Sequence, residues 1–164
     1  MTLPLQNHHA NNPLVQMIRE LADEEMLQDI ELFFESSSTT LRTSRYLVCL
    51  ASPVLRKMLC GSFSESKAAT LKLCDVEGKT FIKALDIWCG QKNYHEVPLG
   101  EVKQLAIVAD RFQMTAVLSM LEVTLSKQLN VDMCGEVLMW SGMVGMQHLE
   151  DKAMKLPAEH FERF

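Results

Sequence analysis

The chain is poor in the residues that build nucleotide, metal and catalytic sites. Seven glycines in 164 residues leave no loop rich enough in glycine to cradle a phosphate. No G-x-G-x-x-G, P-loop, G-x-S-x-G or H-E-x-x-H occurs. The five cysteines, Cys49, Cys60, Cys74, Cys89 and Cys134, are odd in number and widely spaced. A zinc site needs close pairs of Cys or His, and there is no C-x-x-C. These thiols read as small apolar core residues of a protein in a reducing compartment. The adjacent pair His8-His9 sits in a polar leader beside Asn7, Asn11 and Asn12, and reads as tail rather than metal site. His95, His148 and His160 have no histidine, cysteine or carboxylate partner at i+4. No metal, cofactor or catalytic constellation is therefore expected, and neither is an enzyme. A cysteine nucleophile paired with a distant histidine is the one catalytic arrangement left open.

Basic runs are lacking too. Lys and Arg are scattered and the net charge is −5, so the electrostatic footprint of a nucleic-acid binder is missing. There is no run of 18 apolar residues, and polar Gln6 to Asn12 interrupts any N-terminal apolar region. The expectation is an intracellular protein, cytoplasmic or nuclear, with no membrane partner.

What is present is enough apolar material for a core, at 48% of residues against 23% charged. Residues 1–12 read as a disordered leader. Asn12 offers an N-cap with Pro13 at the first helical position. Leu14, Met17, Ile18 and Leu21 then recur at i, i+3, i+4 and i+7, an amphipathic helix reaching about Leu27. Ile30, Leu32 and Phe34 alternate as a strand. Ser36-Ser37-Ser38 turns it into a returning strand over 39–43. Residues 45–51 form a short apolar run suited to a buried helix. Ser52-Pro53 starts another helix, which Gly61 stops. Leu71 and Leu73 mark a third strand. Helical spacing follows in Phe81, Ala84, Leu85 and Trp88, then in Val102, Leu105, Ala106 and Ala109, then in Val117, Leu118, Leu121 and Leu125. Beyond Asn130 the pattern is helical, broken at Gly142 and Gly145 and closed by Pro157. The eleven methionines are adaptable core filler, with Met143 and Met146 as candidate lining of a partner cleft. The order is α+β, with too few strands for a Rossmann sheet.

Several of these stretches resemble BTB/POZ domains, taken in order along the chain. Asp29-Ile30-Glu31-Leu32 is similar to their opening strand. Residues 45–59 (Arg-Tyr-Leu-Val-Cys-Leu-Ala-Ser-Pro-Val-Leu-Arg-Lys-Met-Leu) resemble their most recognisable segment, and Phe63-Ser64-Glu65-Ser66 the loop after it. Leu71 to Val76 and Phe81 to Gly90 match the third strand and the following helix. Three departures stand out. Ser44 replaces a common histidine, three serines replace a Gly-rich turn, and Trp88 replaces a tyrosine. The resemblance implies a BTB/POZ domain at 13–128, with a small three-stranded sheet flanked by helices. Residues 130–164 resemble the incomplete start of a BACK-like helical extension.

For function, the resemblance implies assembly. In BTB domains of the long-N-terminus type the first helix exchanges onto a partner subunit, which assigns Leu14, Met17, Ile18 and Leu21 to a homodimer interface. Asp29 and Arg45 resemble a charged pair at the dimer centre, with an ordinary surface pair as the alternative. Phe63 and Glu65 stand where BTB adaptors dock cullin-3 through an apolar-x-Glu loop. Ile18-Arg19-Glu20, Leu99-Gly100-Glu101 and Met120-Leu121-Glu122 have the same pattern, so position alone carries that assignment. The implied roles are a cullin-3 adaptor that brings an unknown target to ubiquitination or, alternatively, a dimerising scaffold or transcriptional co-regulator without cullin binding.

Overall fold

The structure is a computed structural model and describes residues 2–61, 68–90 and 96–162. Three strands form the central sheet: β2 (Ile30–Phe34), β3 (Thr39–Thr43) and β4 (Thr70–Leu73), in the order β3-β2-β4. β2 pairs with β3 as an antiparallel hairpin and with β4 in parallel. Alternation puts Ile30, Leu32 and Phe34 on one buried face, joined by Leu71 and Leu73. Phe34 packs on Phe81, which packs edge-on against Phe112.

Three serines suffice for the hairpin turn because each has a task. Ser38 takes the left-handed conformation (φ 50°), Ser36 Oγ donates to the Val76 carbonyl, and Ser37 Oγ accepts the Gly78 N–H. Only glycine fits at 78, where a Cβ would lie 2.1 Å from Thr39 Oγ1.

The helices surround this sheet. α1 (Pro13–Asp23) starts at Asn12, whose side chain accepts the Leu14 N–H. It stops four residues earlier than the pattern suggests, and a separate 3-10 turn covers Glu25–Leu27. α2 (Arg45–Ala51) and α3 (Pro53–Cys60) meet at Ser52, which caps α3 by accepting the Leu55 N–H and donates to the Phe112 carbonyl. α4 (Gly78–Trp88), α5 (Leu99–Arg111) and α6 (Thr115–Gln128) supply much of the core. α7 (Val131–Trp140) is capped by Asn130, and after a 3-10 turn at Ser141–Val144 it packs on α8 (Gln147–Glu162).

Four expectations need correction. The leader is ordered: Thr2–Pro4 forms β1, antiparallel to β5 (Glu96–Pro98), and buries Leu3 and Leu5. The Gln6 amide donates to Thr124 Oγ1 and Asn7 Nδ2 to the Ile87 carbonyl. His9 stacks edge-on against Trp88, with Nδ1 2.5 Å from the Trp88 carbonyl oxygen. Gly90, at φ 72°, makes room for it, since a Cβ there would lie 2.3 Å from the His9 carbonyl oxygen. Pro157 does not end α8, which continues to Glu162. Proline removes the one backbone bond to the Ala153 carbonyl four residues back, and α8 runs on through that gap. Met146 is core, whereas Met143 is exposed, so the two do not line one cleft. Finally, only Cys89 and Cys134 are buried thiols; Cys49 is half-buried, and Cys60 and Cys74 are exposed.

Candidate interaction surface

α1 sorts its apolar residues onto two sides. Val15 and Ala22 are buried, and Ile18 packs partly against the core. These three lie near one side of the wheel at about 100° per residue. Leu14, Met17 and Leu21 point away, at 64%, 58% and 45% exposure. Met26 and Leu27 extend that face beyond the helix, while Tyr46 and Leu50 expose apolar surface on α2, against which α1 packs. Among the described residues, seven of the twelve large exposed hydrophobic side chains therefore belong to α1, its trailing turn or α2. A concentration of this kind marks an interaction surface more than scattered single residues do. Of the four apolar positions expected at an interface, the structure brings Leu14, Met17 and Leu21 together outward and turns Ile18 inward.

An ion pair anchors the other side of α1. Arg19 Nη2 lies 2.9 Å from Asp86 Oδ1 of α4, and both side chains are mostly buried. The sequence pattern placed Arg19 on a solvated face and did not single out Asp86. Nothing local signals the pair, because its members are far apart in the chain. Burial, aided by the nearby Asp23 carboxylate, raises the Asp86 carboxyl above its ordinary range, against the pull of Arg19. Burial also pushes the neighbouring Cys89 thiol up to about 12, so this thiol is not a ready nucleophile.

Asp29 and Arg45 meet within one chain. The Arg45 backbone N–H donates to Asp29 Oδ1 at 2.8 Å, so Asp29 serves the N-terminus of α2. The side chains approach to 3.9 Å, at 25% exposure for Arg45 and 55% for Asp29, and Arg45 also donates to the Ala68 carbonyl. Within a single chain this is a half-exposed surface pair rather than a buried one.

Phe63 and Glu65 lie outside the described residues. The rival apolar-x-Glu matches are placed. Met120 and Leu121 are core, Ile18 faces inward, and Glu101 is paired with Lys83. None presents an exposed apolar anchor beside an unengaged glutamate. His148 lies near Glu122, whose carboxyl burial raises. Among the described residues no helix is long and apolar enough to cross a membrane.

A family model for the BTB/POZ domain matches residues 18–129. The chain belongs to the BTB/POZ family. BTB domains are protein–protein interaction modules, which fits a surface whose distinguishing feature is exposed apolar side chains. Among solved structures, the chain is similar to the BTB domain of human gigaxonin, with 18% sequence identity and a TM-score of 0.52, over 71% of this chain and 89% of that one. At that identity the likeness concerns the fold, and it agrees with the mixed architecture of small sheets and helices described above. No curated protein matches the chain.

Proposed function

We propose that this BTB protein is a homodimeric adaptor whose dimer contact is the outward face of α1, and that it recruits cullin-3 to bring a target protein to ubiquitination. The observation that carries the dimer is the row Leu14, Met17 and Leu21, left uncovered beside exposed Met26, Leu27, Tyr46 and Leu50. A lone helix of eleven residues is marginal in water. α1 persists because Val15, Ala22 and Arg19 dock it, and its larger apolar residues remain free for a second copy. An exchanged arrangement would carry β1 and α1 onto the partner, with Asp29 and Arg45 near the centre.

Support for cullin-3 is the resemblance of Phe63-Ser64-Glu65 to the docking loop, after a helix that ends at Gly61. Phe63 is the one large apolar residue between Gly61 and Leu71, flanked by Ser62, Ser64 and Ser66. An aromatic anchor with a polar rim is the composition that interfaces favour. Residues 130–162 form helices packed on α6 and are consistent with a BACK-like extension. Calorimetric titration with a cullin-3 N-terminal domain tests this. Wild type binds, and Phe63→Ala weakens binding by about 2 kcal/mol, roughly thirtyfold, with the melting temperature unchanged. No binding by wild type leaves the dimerising scaffold or co-regulator as the function.

A further inference from the structure

Cys49 lies within α2 and Cys60 is the last residue of α3. Ser52 fixes the corner between these helices by accepting the Leu55 N–H at 3.1 Å and donating to the Phe112 carbonyl at 2.6 Å. The two sulfurs are thereby held 3.9 Å apart, with Cys60 exposed and Cys49 half-buried. The other three thiols are engaged elsewhere. Cys89 and Cys134 are in the core, and Cys74 donates to Glu35 Oε2. A disulfide needs a sulfur separation of about 2.05 Å. The gap closes by turning the Cys60 side chain, which is exposed on the last residue of α3, toward Cys49.

We propose that Cys49 and Cys60 are a redox-reversible pair that forms an intramolecular disulfide, with a low-molecular-weight disulfide such as oxidised glutathione as the oxidant. The Cys60 thiolate attacks one glutathione sulfur. The glutathione S–S bond breaks, one glutathione thiolate leaves, and a mixed disulfide remains on Cys60. Cys49 gives its proton to solvent and attacks the Cys60 sulfur, and the second glutathione thiolate leaves. Two electrons pass from the protein dithiol to the glutathione disulfide, and the two protons end on the released glutathione.

Exposure assigns the roles. Cys60 meets the oxidant, and the shielded Cys49 resolves the mixed disulfide. Burial, with the hydrogen bond to Cys60 adding to it, pushes the Cys49 thiol up to about 11, against the opposing field of Arg45 and Arg56. The resolving step is therefore slow at neutral pH and accelerates as pH rises. The bond ties the end of α3 to α2, the helix that exposes Tyr46 and Leu50 beside α1. It also shortens the unfolded chain's freedom, which raises the melting temperature.

The test is incubation of the full chain in oxidised and reduced glutathione mixtures, followed by acid quench, intact mass and peptide mapping. The expected product has lost two hydrogens, retains three of the five free thiols, links the Cys49 and Cys60 peptides, and reverts with dithiothreitol. Cys49→Ser stops at glutathione on Cys60, and Cys60→Ser gives no loss of two hydrogens. Three results overturn the proposal. These are a stable glutathione adduct on wild-type Cys60 without resolution, a Cys60–Cys60 link between two chains, or an oxidised product that has lost its folded circular dichroism.

Discussion

α1 and α6 are both well-formed helices rich in apolar residues, and they use them in opposite ways. α6 buries Val117, Met120, Leu121 and Leu125 inside its own domain, along with Thr124, whose hydroxyl serves the Met120 carbonyl and the Gln6 amide. α1 buries only the small Val15 and Ala22 fully, and sends Leu14, Met17 and Leu21 outward. Apolar burial contributes roughly 25 cal/mol per Å² wherever it occurs. In α6 that stabilisation belongs to the fold. In α1 most of it is withheld until something covers the helix. Amphipathicity alone does not distinguish the two cases, since what counts is whether the larger or the smaller side chains face home.

The comparison breaks if core and surface substitutions have similar effects. The largest expected effect is Leu121→Ala. It leaves a cavity in a fully buried site and lowers the stability of the folded chain by about 2–5 kcal/mol in urea melts.

Next in size is the anchor of α1. Because Asp86 is ionised at a cost that Arg19 only partly offsets, the two halves of the pair are unequal. Arg19→Met leaves a mostly buried carboxylate without its cation and costs about 1–3 kcal/mol. Asp86→Asn costs less than that at neutral pH, since the neutral isostere escapes the burial penalty. With its folded value raised, Asp86 contributes stability that is present below its ordinary 3.8 and is lost as pH rises through the folded value. Asp86→Asn removes that part of the pH profile. Chemical melts at several pH values check both statements, and Asp86→Asn proving the more damaging substitution counts against this account.

The smallest effect is Asp29→Asn, at about 0–1 kcal/mol in a monomeric background. The pair is half-exposed, and asparagine still offers an oxygen to the Arg45 N–H. A larger loss that appears only in the associated protein indicates that association covers Asp29.

How much of this was legible in the sequence follows from how local each signal is. Asn12-Pro13 and Ser52-Pro53 announce helix starts within one turn, and both caps form as expected; Asn130, beyond which the helical pattern resumes, is a third cap that the structure adds. The β2–β3 hairpin and the β4 strand show in their alternation. The leader does not, because β1 is three residues long and its partner, β5, lies more than ninety residues away. Leu3 and Leu5 are too short a pattern to read as a strand. The Arg19–Asp86 pair is hidden for the same reason. The exposed stripe was half legible. Its helical spacing is plain, but Ile18 shares that spacing, and only the way α1 docks beside α2 and α4 separates it from Leu14. Thiol burial is not legible because Cys60 closes α3 and Cys74 lies just past β4, where the periodic pattern no longer assigns a face.

The central claim is that the outward face of α1 is covered by a second copy of this chain. Deleting α1 is a poor test, because residues 2–27 also carry Leu3, Leu5, Val15 and Ala22 of the core. Light scattering of wild type beside the triple variant Leu14→Ser, Met17→Ser, Leu21→Ser changes only the exposed side chains. The account predicts twice the 18.6 kDa chain mass for wild type and the single-chain mass for the variant, with folded circular dichroism in both. Wild type at the single-chain mass, or a triple variant that remains dimeric, contradicts it.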